Sequence, residues 1–162
     1  MRRRQFMATC LGLASLPLFA TKTIGDNMNM PITKGKIVRS DAEWKKLLPP
    51  AQYDILRHAD TEAAFSSALN HEKRQGQYVC AGCDLPLFTS TMKFDSGTGW
   101  PSFFTTLTGA VETKTDFKLI LPRKEYHCAR CGGHQGHVFN DGPQPTGQRW
   151  CNNGLALKFI PA

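Results

Sequence analysis

The chain has 162 residues, 41% of them hydrophobic, which is enough for one domain with a modest core and excludes a segment too polar to fold. Its formal charge of +7 invites comparison with polyanion binders, but three of those charges belong to Arg2, Arg3 and Arg4, leaving +4. The other bases fall in scattered pairs such as Lys45-Lys46 and Lys73-Arg74 without interleaved aromatics, the pattern of a solvated surface, so no nucleic-acid partner is expected.

Residues 1–20 read as an address. Arg3-Arg4-Gln5-Phe6-Met7 resembles the twin-arginine export signal, and the apolar run that follows, residues 7–20, is short for a membrane span but suits a signal h-region. Export, to the periplasm, is expected. Residues 21–35 carry Gly25, Asn27, Asn29 and Pro31 without hydrophobic periodicity and read as a linker, so the folded domain is expected over residues 36–162. Cys10 falls in the signal, which leaves five of the six cysteines in the domain. An odd number in an exported protein means intermolecular pairing or a free reactive thiol.

Ser40-Asp-Ala-Glu43 is a capping box, predicting a short helix with Trp44, Leu47 and Leu48 on one face and an end at Pro49-Pro50. Residues 51–57 predict a further helical turn or two, with Tyr53, Ile55 and Leu56 available for packing, and residues 61–69 a weaker third. From Gln77 onward the pattern changes to short β segments: Tyr78-Val79, Leu87-Phe88, a stretch from Val111 in which Phe117, Leu119 and Leu121 alternate with Lys118 and Ile120, Tyr126, and an alternation of Leu155, Leu157 and Phe159. Short strands with no long helix between them predict a mainly β fold, an antiparallel sandwich or barrel covered on one side by the N-terminal helices.

Cys80-x-x-Cys83 and Cys128-x-x-Cys131 have the spacing that lets two thiolates of one tight turn take adjacent corners of a tetrahedron. Structural zinc is the expected occupant; iron on the same sulfurs, or two disulfides, are the alternatives. A thioredoxin-like exchange motif would want a βαβ setting, which neither pair has. With four thiolates such a site is closed, and catalysis falls to other groups.

Cys151 is the remaining thiol. Its plainest reading is a small buried hydrophobe. Its neighbours favour chemistry, because Arg149, Cys151 and Asn153 share one face of a strand and His134 and His137 lie one loop upstream, a cationic setting expected to lower the thiol pKa. Gly97-Thr-Gly-Trp-Pro-Ser-Phe103 is a glycine-rich turn that lacks the lysine of a phosphate loop and delivers Trp100 and Phe103, read as an aromatic wall for a small apolar group. The competing reading is a non-catalytic, zinc-stapled β binding module, which would not need Cys151, His134, His137 and Trp100 to converge.

Taken together, both knuckles, Lys93-Phe-Asp-Ser-Gly-Thr-Gly-Trp-Pro-Ser-Phe103, His134-x-Gly-His-Val-Phe-x-Asp-Gly-Pro143 and Arg149-Trp-Cys-x-Asn153 resemble the B-type methionine-R-sulfoxide reductase family. The resemblance implies two antiparallel sheets with N-terminal helices, and a four-cysteine zinc site on the side away from catalysis. It implies reduction of the R epimer of methionine sulfoxide through a sulfenic acid on Cys151. It also implies a methyl pocket at Trp100 and sulfoxide-oxygen contacts from His134, His137 and Asn153; Phe103 and Arg149, read from the residues themselves, are expected to contact the substrate beside Trp100. Trp150 and Asn152-Asn153-Gly154 depart from the family pattern, as does Thr98, where many members carry a resolving cysteine. Recycling is therefore expected to use an outside thiol, from a thioredoxin-like protein or a small molecule, and the enzyme is expected to be a monomer.

Overall fold

The computed structural model describes residues 35–117 and 122–162, so the expected signal, Cys10, the rest of the linker and the alternating residues Lys118, Leu119, Ile120 and Leu121 lie outside the described residues. Helix α1 spans Asp41–Leu47, and its capping box is formed: the Ser40 side chain accepts from Glu43 N while the Ser40 N–H donates to the Glu43 carboxylate at 2.7 Å. Trp44 and Leu48 turn inward, but Leu47 is 57% exposed, contrary to the expected three-residue face. A helix of seven residues presents only a narrow buried stripe, and Leu48 already lies past its end, with extended backbone. Pro50 opens α2 (Pro50–His58), where a missing N–H costs nothing, and Tyr53, Ile55 and Leu56 are buried.

The third helix expected over residues 61–69 does not form. Residues 59–67 carry no helix or strand, and only a short 3-10 turn, Ala68–His71, follows. The irregular path serves tertiary bonds, described below, that a helix would forbid.

Among the described residues, nine strands make two antiparallel sheets. The first has the order β2 (Pro86–Thr89), β1 (Gly76–Cys80), β9 (Leu157–Pro161). The second has the order β3 (Lys93–Phe94), β4 (Ser102–Phe103), β8 (Arg149–Asn152), β7 (His134–Phe139), β6 (Arg123–Cys128), β5 (Val111–Asp116). Leu155 sits in a 3-10 turn, Gly154–Ala156, rather than in the terminal strand. The sheets pack through aromatic rings: Phe88 of the first stacks on Phe103 of the second at 3.9 Å between centroids, and Tyr78 meets the same ring edge-on at 5.0 Å. The helices close the core from one side, and the fold is the mainly β sandwich that the strand pattern predicts.

Candidate active site and four-cysteine cluster

Each cysteine pair sits on a turn leaving a strand, Cys80 at the end of β1 and Cys128 at the end of β6. Packing of the two sheets against each other, with β1 in the first and β6 in the second, brings the two turns together, so the four sulfurs lie within 4.8 Å of one another, with Cys80–Cys131 at 3.6 Å and Cys83–Cys128 at 3.5 Å. A tetrahedral metal at the usual zinc–sulfur distance would space its ligands by about 3.8 Å, so these sulfurs fit such an ion. Hydrogen bonds from Cys131 and Cys80 hold Cys128 well below the usual thiol range, while Cys80 is pushed well above it, by Cys128 first. Four thiolates this close repel one another, and a bound metal would supply the positive charge that lets them ionise together. Arg57 donates to the Cys131 carbonyl at 3.0 Å and Arg130 to that of Cys83 at 3.2 Å, bracing both turns.

Cys151 lies on β8, between β4 and β7, a central position in the larger sheet. The register places it directly opposite His137, and His137 opposite Glu125 of β6, which faces Lys114 of β5. Cross-strand partners share a face, so Cys151 and His137 project together. The next row on that face holds Arg149, Phe139 and the Asp116–Arg123 pair. Strand pairing thus assembles the site from residues far apart in sequence.

Of these, Cys151, His137, Phe139 and Arg123 border a cavity of about 120 Å³. Trp100, His137, Cys151 and Asn153 are among its walls, with Thr61, Phe139 and Arg123, and bare main chain at Gly136. A Cβ on Gly136 would fall 1.9 Å from the Cys151 carbonyl oxygen, so any side chain there would part β7 from β8.

Two histidine–carboxylate pairs back the site. His137 Nε2 donates to Asp116 Oδ2 at 2.8 Å, and the same oxygen accepts from Arg123 at 2.8 Å. That fixes the ring so that Nδ1 is the nitrogen left for other partners. His134 donates from Nδ1 to Glu125 at 2.8 Å, with Lys114 on the other carboxylate oxygen at 3.3 Å. The His134 ring is only 4% exposed and is not among the cavity walls; it packs edge-on behind His137 at 5.5 Å. Around Cys151, a hydroxyl chain runs from Ser102 through Ser96 to Thr98, at 2.8 and 2.9 Å, and the Thr98 hydroxyl favours the thiolate.

The structure corrects three expectations. Phe103 is fully buried in the core, because it neighbours Ser102 on β4 and consecutive strand residues face opposite ways. Arg149 does not line the cavity: its guanidinium makes two 2.9 Å bonds to Asp141 and lies 4.3 Å over the Phe139 ring. The Cys151 thiol is raised, not lowered. Burial pushes it up, and the opposing pull of Arg149 and Thr98 is too weak because Asp141 spends much of the guanidinium charge. Trp150 and Asn152, which depart from the family pattern, face away from Cys151: Trp150 packs edge-on against Tyr126 at 5.0 Å, and Asn152 accepts the Tyr126 hydroxyl at 2.7 Å.

Sequence reasoning missed Asp116, Arg123 and Glu125, whose signal is only a charged residue facing the same way as a strand neighbour. It also missed Glu62, which no spacing marks.

A single thiol in a histidine- and tryptophan-walled cavity, on a β sandwich stapled by four cysteines, defines a thiol-based oxidoreductase. Residues 48–161 match the SelR domain. A peptide methionine sulfoxide reductase MsrB of Leptospira interrogans is 50% identical over 125 residues, covering 76% of this chain and 95% of that protein. A counterpart from Agrobacterium fabrum is 48% identical over 131 residues, 80% of this chain and 97% of its own length. The chloroplastic peptide methionine sulfoxide reductase B1 of Arabidopsis thaliana is 52% identical over 121 residues, 74% of this chain and 60% of that protein. The chain belongs to the SelR family, the B-type methionine sulfoxide reductases.

Proposed function

We propose that the chain reduces the R epimer of methionine sulfoxide, free or in polypeptides, to methionine, with Cys151 as the nucleophile. The observation that carries this is the cross-strand pairing of Cys151 with His137 on a cavity walled by Trp100. A sulfoxide presents an electrophilic sulfur, a methyl group and a basic oxygen, and the walls offer a thiol, an aromatic face and hydrogen-bond donors to match.

In this reading the Cys151 sulfur attacks the sulfoxide sulfur and forms a sulfur–sulfur bond; the protonated oxygen then shifts from the substrate sulfur to the Cys151 sulfur as that sulfur–sulfur bond breaks, and methionine leaves with its electron pair. The oxygen remains on Cys151 as a sulfenic acid. His137, as an imidazolium held by Asp116, delivers a proton from Nδ1 to the developing negative oxygen. The Cys151 proton, retained in the free enzyme because burial raises the thiol, returns to the pool, so the net reaction balances without an outside proton. His134 acts by holding His137 in place, and Arg149 by its field on the thiol. Zinc is the metal proposed for Cys80, Cys83, Cys128 and Cys131; it would supply folding free energy rather than chemistry.

Two outside thiols then reduce the sulfenic acid, releasing water and leaving as a disulfide; a thioredoxin-like protein or a small thiol fits that step, since Thr98 brings a hydroxyl to Cys151 where a second thiol could have stood. A monomer exported by the twin-arginine route, with the metal loaded beforehand, completes the proposal.

The test is turnover of R and S epimers of a methionine sulfoxide peptide by the wild type and by Cys151→Ser. R-selective turnover that vanishes in the variant, with metal content and circular dichroism unchanged, is expected; retained turnover would move the chemistry to another residue.

A further inference from the structure

Glu62 is a charged residue in an irregular segment, yet it is only 8% exposed. Its carboxylate accepts the Gly154 N–H at 2.5 Å and the Leu155 N–H at 3.0 Å, in the turn that follows Cys151 and Asn153. The room for it comes from Gly154: a Cβ there would fall 3.1 Å from Glu62 Oε1 and 1.9 Å from Ser67 Oγ. The main chain of the same residue reaches two cavity walls. Its N–H donates to Asn153 Oδ1 at 3.1 Å, and its carbonyl accepts the Trp100 indole N–H at 3.1 Å.

The consequence for Asn153 is specific. An N–H can bond only the amide oxygen, and the Gln135 carbonyl can bond only the amide nitrogen, which donates to it at 3.2 Å. The two partners together admit one orientation of the side chain, with the NH2 group keeping a second hydrogen for another acceptor. Residues 59–67 have no ladder of their own: Phe65 N–H ties the segment to the Gly99 carbonyl at 2.7 Å, and the Glu62 carboxylate is its side-chain tie to the turn after Cys151.

We infer that Glu62 is a positioning residue: its buried carboxylate anchors an irregular strap to the turn after Cys151, and the strap's main chain orients the Asn153 amide and the Trp100 indole together. This deepens the proposed function and rests on Asn153 and Trp100 contacting the sulfoxide. Glu62 touches no substrate itself. It sets the oxygen side and the methyl side of the cavity at once.

Glu62→Gln keeps the volume but turns an NH2 group toward one of the two N–H donors. Turnover of a methionine-R-sulfoxide peptide, counted per mole of folded protein from circular dichroism, is expected to fall in both kcat and kcat/KM by roughly tenfold to a hundredfold, the size of one buried polar group left unsatisfied. The rate and pH profile of Cys151 alkylation by iodoacetamide should stay as in the wild type, because β8, Thr98 and Arg149 set the thiol. The loss should shrink in an Asn153→Ala background, since residues acting through one contact share one penalty.

Leu155→Pro is the second variant, valid whether or not Glu62→Gln folds. It deletes one N–H donor to the carboxylate at a 3-10 position whose backbone proline can adopt, and it should lower turnover in the same direction. Turnover within about twofold of wild type in both variants, alkylation falling in step with turnover, or full multiplicativity with Asn153→Ala would each overturn the inference. Wild-type protein inactive on the sulfoxide would instead refute the proposed function, and the two failures are thereby distinct.

Discussion

Replacing Arg149 with methionine removes the guanidinium beside Cys151 while keeping a flexible stem to cover Phe139. The freed Asp141 is 61% exposed and returns to water at little cost, so the effect concentrates on the thiol. A full hydrogen bond to a charged group contributes about 1.5–3 kcal/mol, and Arg149, already bonded to Asp141, acts on the thiol below the lower end of that range, so its loss lowers the thiolate population by at most roughly tenfold at fixed pH. The thiolate that remains is more basic and therefore more nucleophilic, and with a Brønsted slope of about 0.4–0.5 roughly half of that loss is returned on a logarithmic scale. Alkylation by iodoacetamide near neutral pH should then slow by about two- to fourfold, and the pH at which the rate levels off should rise further. The assay is the second-order rate from pH 6 to 11, followed by mass spectrometry on Cys151. A neutral-pH rate equal to that of wild type would mean that Asp141 consumes the whole guanidinium charge and would refute the field assigned to Arg149.

Cys83→Ser removes one of four sulfurs. Structural zinc binding contributes about 10–16 kcal/mol in small domains, as much as the whole stability of about 5–15 kcal/mol expected for such a fold. Metal analysis and circular dichroism should therefore show loss of the ion and of the fold together, and a metal-free, stable variant would contradict the structural role. For Glu125, burial raises the carboxyl, but His134 and Lys114 outweigh it and the group lies below its ordinary value. A lowered carboxyl stabilises the fold above its unfolded pKa of about 4.3 and loses that contribution as pH falls toward the folded value. Urea midpoints from pH 7 to 3 should accordingly drop less steeply below pH ~4.3 in Glu125→Gln than in wild type, and an identical acid limb would count against the pairing. Phe103→Ala should cost about 3–5 kcal/mol of stability with KM unchanged in the folded fraction, whereas a raised KM at full stability would return Phe103 to the substrate pocket.

Features set by near neighbours were legible in the sequence. The capping box of α1, the proline break before α2, the two cysteine knuckles and the turn carrying Trp100 each depend on residues within a few positions, where spacing is physics enough. Phe103 was misread because closeness to Trp100 in a motif outweighed the alternation that turns it from Ser102. The thiol of Cys151 was misread for a different reason: Arg149 signals a nearby cation, but whether that charge is already neutralised depends on Asp141 across a loop. Asp116, Glu125 and Glu62 were invisible because their partners, His137, His134 and the Gly154–Leu155 N–H groups, are chosen by sheet register and tertiary packing.

The absence of a side chain at Gly136 bears on how this cavity can change. Its base there is main chain pressed to within 1.9 Å of where any added carbon would sit, so no substitution at that position can reshape the pocket without separating β7 from β8. Thr61 and Phe139 already carry side chains on the walls, whereas Arg123 holds the Asp116 oxygen that fixes His137 and is not free to change. Drift in substrate preference, whether natural or selected in the laboratory, is therefore channelled sideways: the route to bulkier sulfoxides runs through the rim, while the depth at which a reacting sulfur meets Cys151 stays constant.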